Sequence, residues 1–427
     1  MEHSKGPLKH SCVYQNVTHW DREGMILLNK HLHRNIRLNS QNQTKLHSRY
    51  SLVMLLISCL LLVACNPGDL GRAVTGWTPI AFDTETSMLF SVDQDGYVKA
   101  LKDNGYDGLS ASWKYPPNKE DRLIGSFHPP VIHGESIFLT GANGHTYSIN
   151  KSNGSLQDGG WRAPETLGVE LPRLYSGIAI DEINNVGFVP DETGTLQGYK
   201  LETGKPLDWN FTAEAGIWGT PVIDENRIYF GSHDKNFYSI DIVTGELDWS
   251  FSANGAIVSQ PALSEELVIF GSFDRTLYAV DKYSGTLRWS FEGANWFWAP
   301  PLINGTTIYA ASMNGVLHAL DHNGNHLWEY DHKEPIVSSP LMTDSGIVIV
   351  STDGKLTLLD STPQDIGESR EKSSLELGDK NIKSPMLRHE EYVYVSSQND
   401  KIRKLRVSSA GFNQIWCYDL EEEQFCD

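Results

Sequence analysis

Phe237-Tyr-Ser-Ile-Asp-Ile-Val-Thr-Gly-Glu-Leu-Asp-Trp-Ser-Phe251 returns, 40 residues later, as Leu277-Tyr-Ala-Val-Asp-Lys-Tyr-Ser-Gly-Thr-Leu-Arg-Trp-Ser-Phe291. Alternating apolar residues, a turn glycine and a fixed tryptophan mark one supersecondary unit, and a period of this size belongs to solenoids and propellers. Outward from it, the tryptophan recurs at Trp113, Trp161, Trp209, Trp249, Trp289, Trp328 and Trp416, the last gap of 88 residues spanning two units. A turn of the Gly-Ser-x-Asp or x-Asp-Gly kind keeps the same beat at Asp95, Asn143, Asp191, Asp234, Asp274, Asn314, Asp353 and Asn399. Both markers count eight units. Each unit reads as four short strands, as in Thr220-Pro-Val-Ile, Arg227-Ile-Tyr-Phe-Gly, Phe237-Tyr-Ser-Ile-Asp and Leu247-Asp-Trp-Ser-Phe. Four alternating strands between turn residues, rich in Gly and aromatics, predict an all-β fold, an eight-bladed β-propeller of four-stranded antiparallel blades over residues 78–420. Blade seven lacks its tryptophan, and its charged run Gln364 to Lys383 reads as an exposed loop.

The segments around the repeats read differently. Residues 1–44 are polar, basic and aperiodic, which predicts disorder or a start-site artefact, with Met25 the expected start. Residues 45–65 place Lys45, His47 and Arg49 before an apolar run from Leu52 that is short for a membrane span. That layout is a secretory signal segment, and its end, Leu62-Val-Ala-Cys65, resembles the bacterial lipobox, which implies lipidation of Cys65. Residues 66–77 form a Gly/Pro linker and 421–427 a tail. Of five cysteines, only Cys417 and Cys426 are left as free partners in the exported chain, and one disulfide pinning the tail to the last strand is expected.

Charge narrows the partners. The first 65 residues hold 8 Lys+Arg and 3 Asp+Glu of the chain's 35 and 54, so the remainder carries 27 basic and 51 acidic residues, a net of −24. Nucleic acid and anionic lipid surfaces are therefore not expected as partners; the membrane is reached through the lipid anchor alone.

The Ala279-Val-Asp281, Gly285, Trp289 and Ala319-Leu-Asp321, Gly324, Trp328 groupings resemble the Ala-x-Asp…Gly…Trp docking motif of the pyrroloquinoline-quinone-type (PQQ-like) propeller repeats. The resemblance implies structural docking roles for Trp209, Trp249, Trp289 and Trp328 and for Asp241, Asp281 and Asp321. It does not imply their chemistry: quinone-dependent dehydrogenases of the family use paired cysteines and a calcium site, and no adjacent cysteines occur here. No catalytic residue, no cofactor, neither PQQ nor calcium, and no metal is expected. Asp93-Gln-Asp95-Gly96 lacks the downstream Glu of a calcium loop, and His389-Glu-Glu lacks the second His of a zinc motif.

In a propeller the turn after the second strand and the link to the next blade share a face. That face gathers His128, Arg173, Tyr175, Trp218, Trp296 and Trp298 as a candidate binding face, of which Ala294-Asn-Trp296-Phe-Trp298 departs most from its sibling links. Aromatics of this kind make protein hot spots or stack on sugars. The expectation is a non-enzymatic lipoprotein scaffold that binds envelope proteins, on the periplasmic side of the outer membrane if the cell has two membranes. It resembles the accessory lipoproteins of the outer-membrane β-barrel assembly machinery. The alternative is a quinone- or carbohydrate-binding propeller protein.

Overall fold

The alternation in Asn236–Asp241 becomes, in the computed structural model, a strand paired antiparallel on one side with Arg227–Gly231 and on the other with Leu247–Ser252. The structure describes residues 76–117, 122–156, 160–164, 171–362 and 369–426. The signal segment, Cys65 and most of the 66–77 linker lie outside the described residues. Eight antiparallel sheets follow one another along the chain, spanning 80–115, 131–163, 179–212, 222–252, 262–292, 302–331, 341–376 and 387–419. They form an eight-bladed β-propeller. Its one helical element among the described residues is the 3-10 turn Gly105–Asp107.

The first strand of each blade is innermost. Val222–Asp224 touches Ala179–Asp181 of the preceding blade, and Ile80–Asp83 touches both Val131–His133 and Leu387–His389, which closes the circle. Between blades the second and third strands bury apolar side chains, as where Phe188 and Leu196 of blade three meet Ile228, Phe230 and Ile240 of blade four.

The repeated tryptophan sits in these seams. Trp249 Nε1 donates to the Lys282 carbonyl of blade five at 3.2 Å, and Trp289 Nε1 to the His322 carbonyl of blade six at 2.9 Å. The turn glycine of the next blade lies flat on the indole: a Cβ on Gly285 would stand 2.5 Å from Trp249 Cε3, and its φ of +68° suits glycine as well. The aspartates act inside their own blade. Asp281 Oδ1 accepts the Tyr283 and Ser284 amides at 3.1 and 2.8 Å, and Asp241 accepts those of Val243 and Thr244. They cap the turn that offers its glycine and carbonyl to the neighbour's tryptophan. Arg288 and the Ser284 hydroxyl bring the Asp281 pKa down to about 2.

Two regions differ from the sequence reading. Within the charged run of blade seven, Glu371–Glu376 is the fourth strand rather than loop. As the outermost strand it covers only one face, and Leu375 alone supplies the apolar signal. The tail also folds: Gln424–Phe425 adds a fifth strand to blade eight, while the Cys417–Cys426 disulfide holds it as expected.

Candidate functional site

Each link into a new blade places one residue at the same slot on the ring axis. The eight are Trp77, Phe127, Tyr175, Trp218, Val258, Trp298, Val337 and Lys383, and all line a single cavity of about 210 Å³. In five links the slot lies three residues ahead of a proline, Pro130, Pro221, Pro261, Pro301 or Pro340, whose fixed φ stiffens the entry to the inner strand. The rim is uneven: aromatic at blades one to four and six, aliphatic at blades five and seven, and cationic at blade eight.

The aromatic side is continuous. Ring centroids run from Trp77 to Phe127 at 5.5 Å, Phe127 to Tyr175 at 5.3 Å, Tyr175 to Trp218 at 5.1 Å and Trp218 to His233 at 4.2 Å. His233 reaches Phe273 edge-on at 6.5 Å, and Phe273 stacks on both Trp296, at 4.6 Å, and Trp298, at 5.5 Å. Such contacts add about 0.5–1.5 kcal/mol each beyond area burial, so the arc is a preformed surface.

Of the candidate face, His128, Tyr175, Trp218 and Trp298 line the cavity. Trp296 does not; it lies outside the rim with 43% of its surface exposed. Arg173 is exposed as well, its Nη1 3.3 Å from the Tyr175 hydroxyl. Phe297, which the sequence groups with the aromatic patch, turns inward and is buried between blades five and six, since three successive residues cannot all face solvent in an extended link. His128 Nδ1 is 3.0 Å from Thr220 Oγ1, and burial pulls the imidazole pKa down to about 4, leaving it uncharged at neutral pH. Lys383 is the one lysine or arginine in the lining.

The recurring turn acids are structural. Asp234 Oδ2 accepts the Glu214 amide of the incoming link at 3.0 Å and the Tyr238 hydroxyl at 2.7 Å, and Asp274 repeats both contacts with Asn254 and Tyr278. Sequence reading missed Trp77, assigned to the linker, and also Phe127, His233 and Phe273. His233 and Phe273 occupy the free x of the Gly-Ser-x-Asp turn, a place the repeat leaves open and the fold points at the link face.

The profile of the family described as outer membrane protein assembly factor BamB matches residues 159–272 and 253–422, which together cover more than half of the chain. No curated protein sequence matches it. Among solved structures, BamB from Moraxella catarrhalis is similar over 64% of this chain and 81% of its own, at 17% identity and a TM-score of 0.52. The computationally designed Ika8 protein is similar over 78% of this chain and 97% of its own, at 14% identity and a TM-score of 0.62. At these identities the two structures speak for the fold. By the extent of the profile match, the chain belongs to the family of outer membrane protein assembly factor BamB.

Proposed function

We propose that the protein is a non-enzymatic scaffold in outer-membrane protein assembly, anchored by a lipid on Cys65 and receiving its protein partners on the link face. Family membership over blades three to eight supports the role. The observation that carries the choice of face is the aromatic arc, which ends in the exposed Trp296 stacked on Phe273. A rigid, partly exposed aromatic pair beside a half-buried aromatic rim has the make-up of an interface hot spot. Crosslinking in cells followed by mass spectrometry tests this reading: components of the outer-membrane assembly machinery are expected, and a folded, abundant protein that captures none of them refutes it. Labelling with a fatty-acid analogue tests the anchor, because uptake by a Cys65→Ser variant excludes lipidation at that cysteine.

The rim supports a second reading, a carbohydrate- or quinone-binding site. The rings of Trp77, Trp218 and Trp298 around a cavity of about 210 Å³ suit a sugar or quinone ring. Quenching of tryptophan fluorescence by oligosaccharides, lost on Trp298→Ala, would favour it over the protein interface.

A further inference from the structure

Blade six breaks the repeat at three places that meet. In blades four and five the third and fourth strands oppose Tyr238 to Ser250 and Tyr278 to Ser290, and one step along, Ile240 to Leu247 and Val280 to Leu287. In blade six the same register opposes His318 to Glu329 and Leu320 to His326. Tyr, Ser and Leu have become His, Glu and His. The tyrosines it replaces donate to turn aspartates. Blade six has Asn314 there, engaged by the Ser312 hydroxyl, and His318 is only 5% exposed with neither ring nitrogen hydrogen-bonded.

His326 and Glu329 are three residues apart, which in a regular strand sends them to opposite faces. The bulge between Ala319 and Leu320 skips Leu327 and returns His326 to the face of Glu329. His318 Nδ1 stands 3.4 Å and His326 Nε2 3.7 Å from Glu329 Oε2, and the three ligand atoms lie within 4.8 Å of one another. Ligands at about 2.0–2.1 Å in a tetrahedral shell are about 3.3 Å apart. Phe291 of blade five walls the group, stacked on His326 at 5.6 Å and edge-on to His318 at 5.1 Å.

We infer that His318, His326 and Glu329 form a binding site for a divalent transition-metal ion of the Zn²⁺ type. Two imidazoles and one carboxylate match the ligand preference of such ions. The buried His318 supplies the fixed ligand, while the exposed His326 and Glu329 can close onto an ion entering from solvent and leave a fourth position to water.

The test is titration of the full chain with Co²⁺ alone, read by visible ligand-field absorption, and then displacement by Zn²⁺. Wild type should bind one ion at this site. His326→Leu and Glu329→Ser, which restore the residues of the sibling blades, should each weaken binding at least about tenfold, since loss even of a partner that only orients a ligand costs about 10–100-fold. Zn²⁺ should raise the thermal midpoint of wild type and not that of a His318→Tyr, Glu329→Ser, His326→Leu triple variant. An equal spectrum or an equal shift in the triple variant would place the metal elsewhere, for instance among the six histidines of residues 1–48, and overturn the inference. So would a wild type without any absorption change.

Discussion

The seam between blades four and five and the seam that closes the ring between blades eight and one do the same work with a different balance of apolar and polar contacts. The first is local and mainly apolar: Trp249 lies under Gly285, Phe237 stacks on Phe270 with centroids 4.1 Å apart, and one ion pair, Lys282 with Asp224, borders it. The second adds to its apolar packing a buried polar group that joins residues about 300 positions apart. Lys404 Nζ lies 2.9 Å from Asp103 Oδ2 with both side chains buried, and the Tyr394 hydroxyl donates to the same oxygen at 2.6 Å. Asp400 accepts from Thr78 Oγ1 and the Gln94 amide across the gap. Trp416 of blade eight is buried, but its Nε1 has no hydrogen-bond partner. The tail straps this seam, with Phe425 against Gly108 and Glu423 3.0 Å from Lys99. Repeated seams can share one solution that each new blade re-creates, whereas the closing seam joins Asp103 to Lys404 and Tyr394 through contacts written once, which favours one closure over a slipped ring.

Breaking each seam at its centre should give the largest effects. Trp249→Ala should cost about 3–5 kcal/mol by cavity formation, and Asp103→Ala a similar amount by leaving Lys404 buried without its carboxylate; chemical denaturation measures both. The two can be told apart by a compensating change. Replacing Asp103 and Lys404 together by apolar residues should recover most of the loss, while no single neighbouring change rescues Trp249→Ala.

Removing the strap should come next. Cys417→Ser with Cys426→Ser should cost about 2–3 kcal/mol for so short a loop, and hydrogen exchange should rise at the closing seam but not between blades four and five. A pH effect should follow from Asp400, of the order of 1.4 kcal/mol for each unit by which its pKa is raised. Burial raises its pKa to about 7, against 3.8 for the free side chain. The protonated form is thus favoured by folding, so its contribution is fully present below about pH 4 and is lost as pH rises towards 7. The stability of wild type relative to Asp400→Asn should therefore fall between about pH 4 and pH 7; a difference that stays flat would contradict this account of the seam. Smallest is Trp296→Ala, expected to cost about 0.5–1.5 kcal/mol through its lost stacking on Phe273, because 43% of its surface is already exposed.

The same contrast explains what was legible in the sequence. Blade number, strand order and the indole–glycine contacts follow from spacing, because the repeat writes them several times. The closing seam is written once, and nothing in the sequence near Asp103 points to Lys404. The link face was half legible: Trp218 and Trp298 stand out against sibling links, but Trp77 lies ahead of the first repeat, and Phe297 shows that an aromatic in a link can turn inward. The His318, His326 and Glu329 group was hidden because spacing alone puts two of its members on opposite faces, and only the bulge at Leu327 reunites them.

The central claim is that the link face, and not the opposite one, receives protein. A photo-crosslinking amino acid placed in cells at Trp296, and separately at Val243 in an exposed turn of the other face, tests it most directly. The account predicts crosslinks to outer-membrane assembly components from position 296 and none from 243. Equal capture from both positions, or capture from 243 alone, would contradict it.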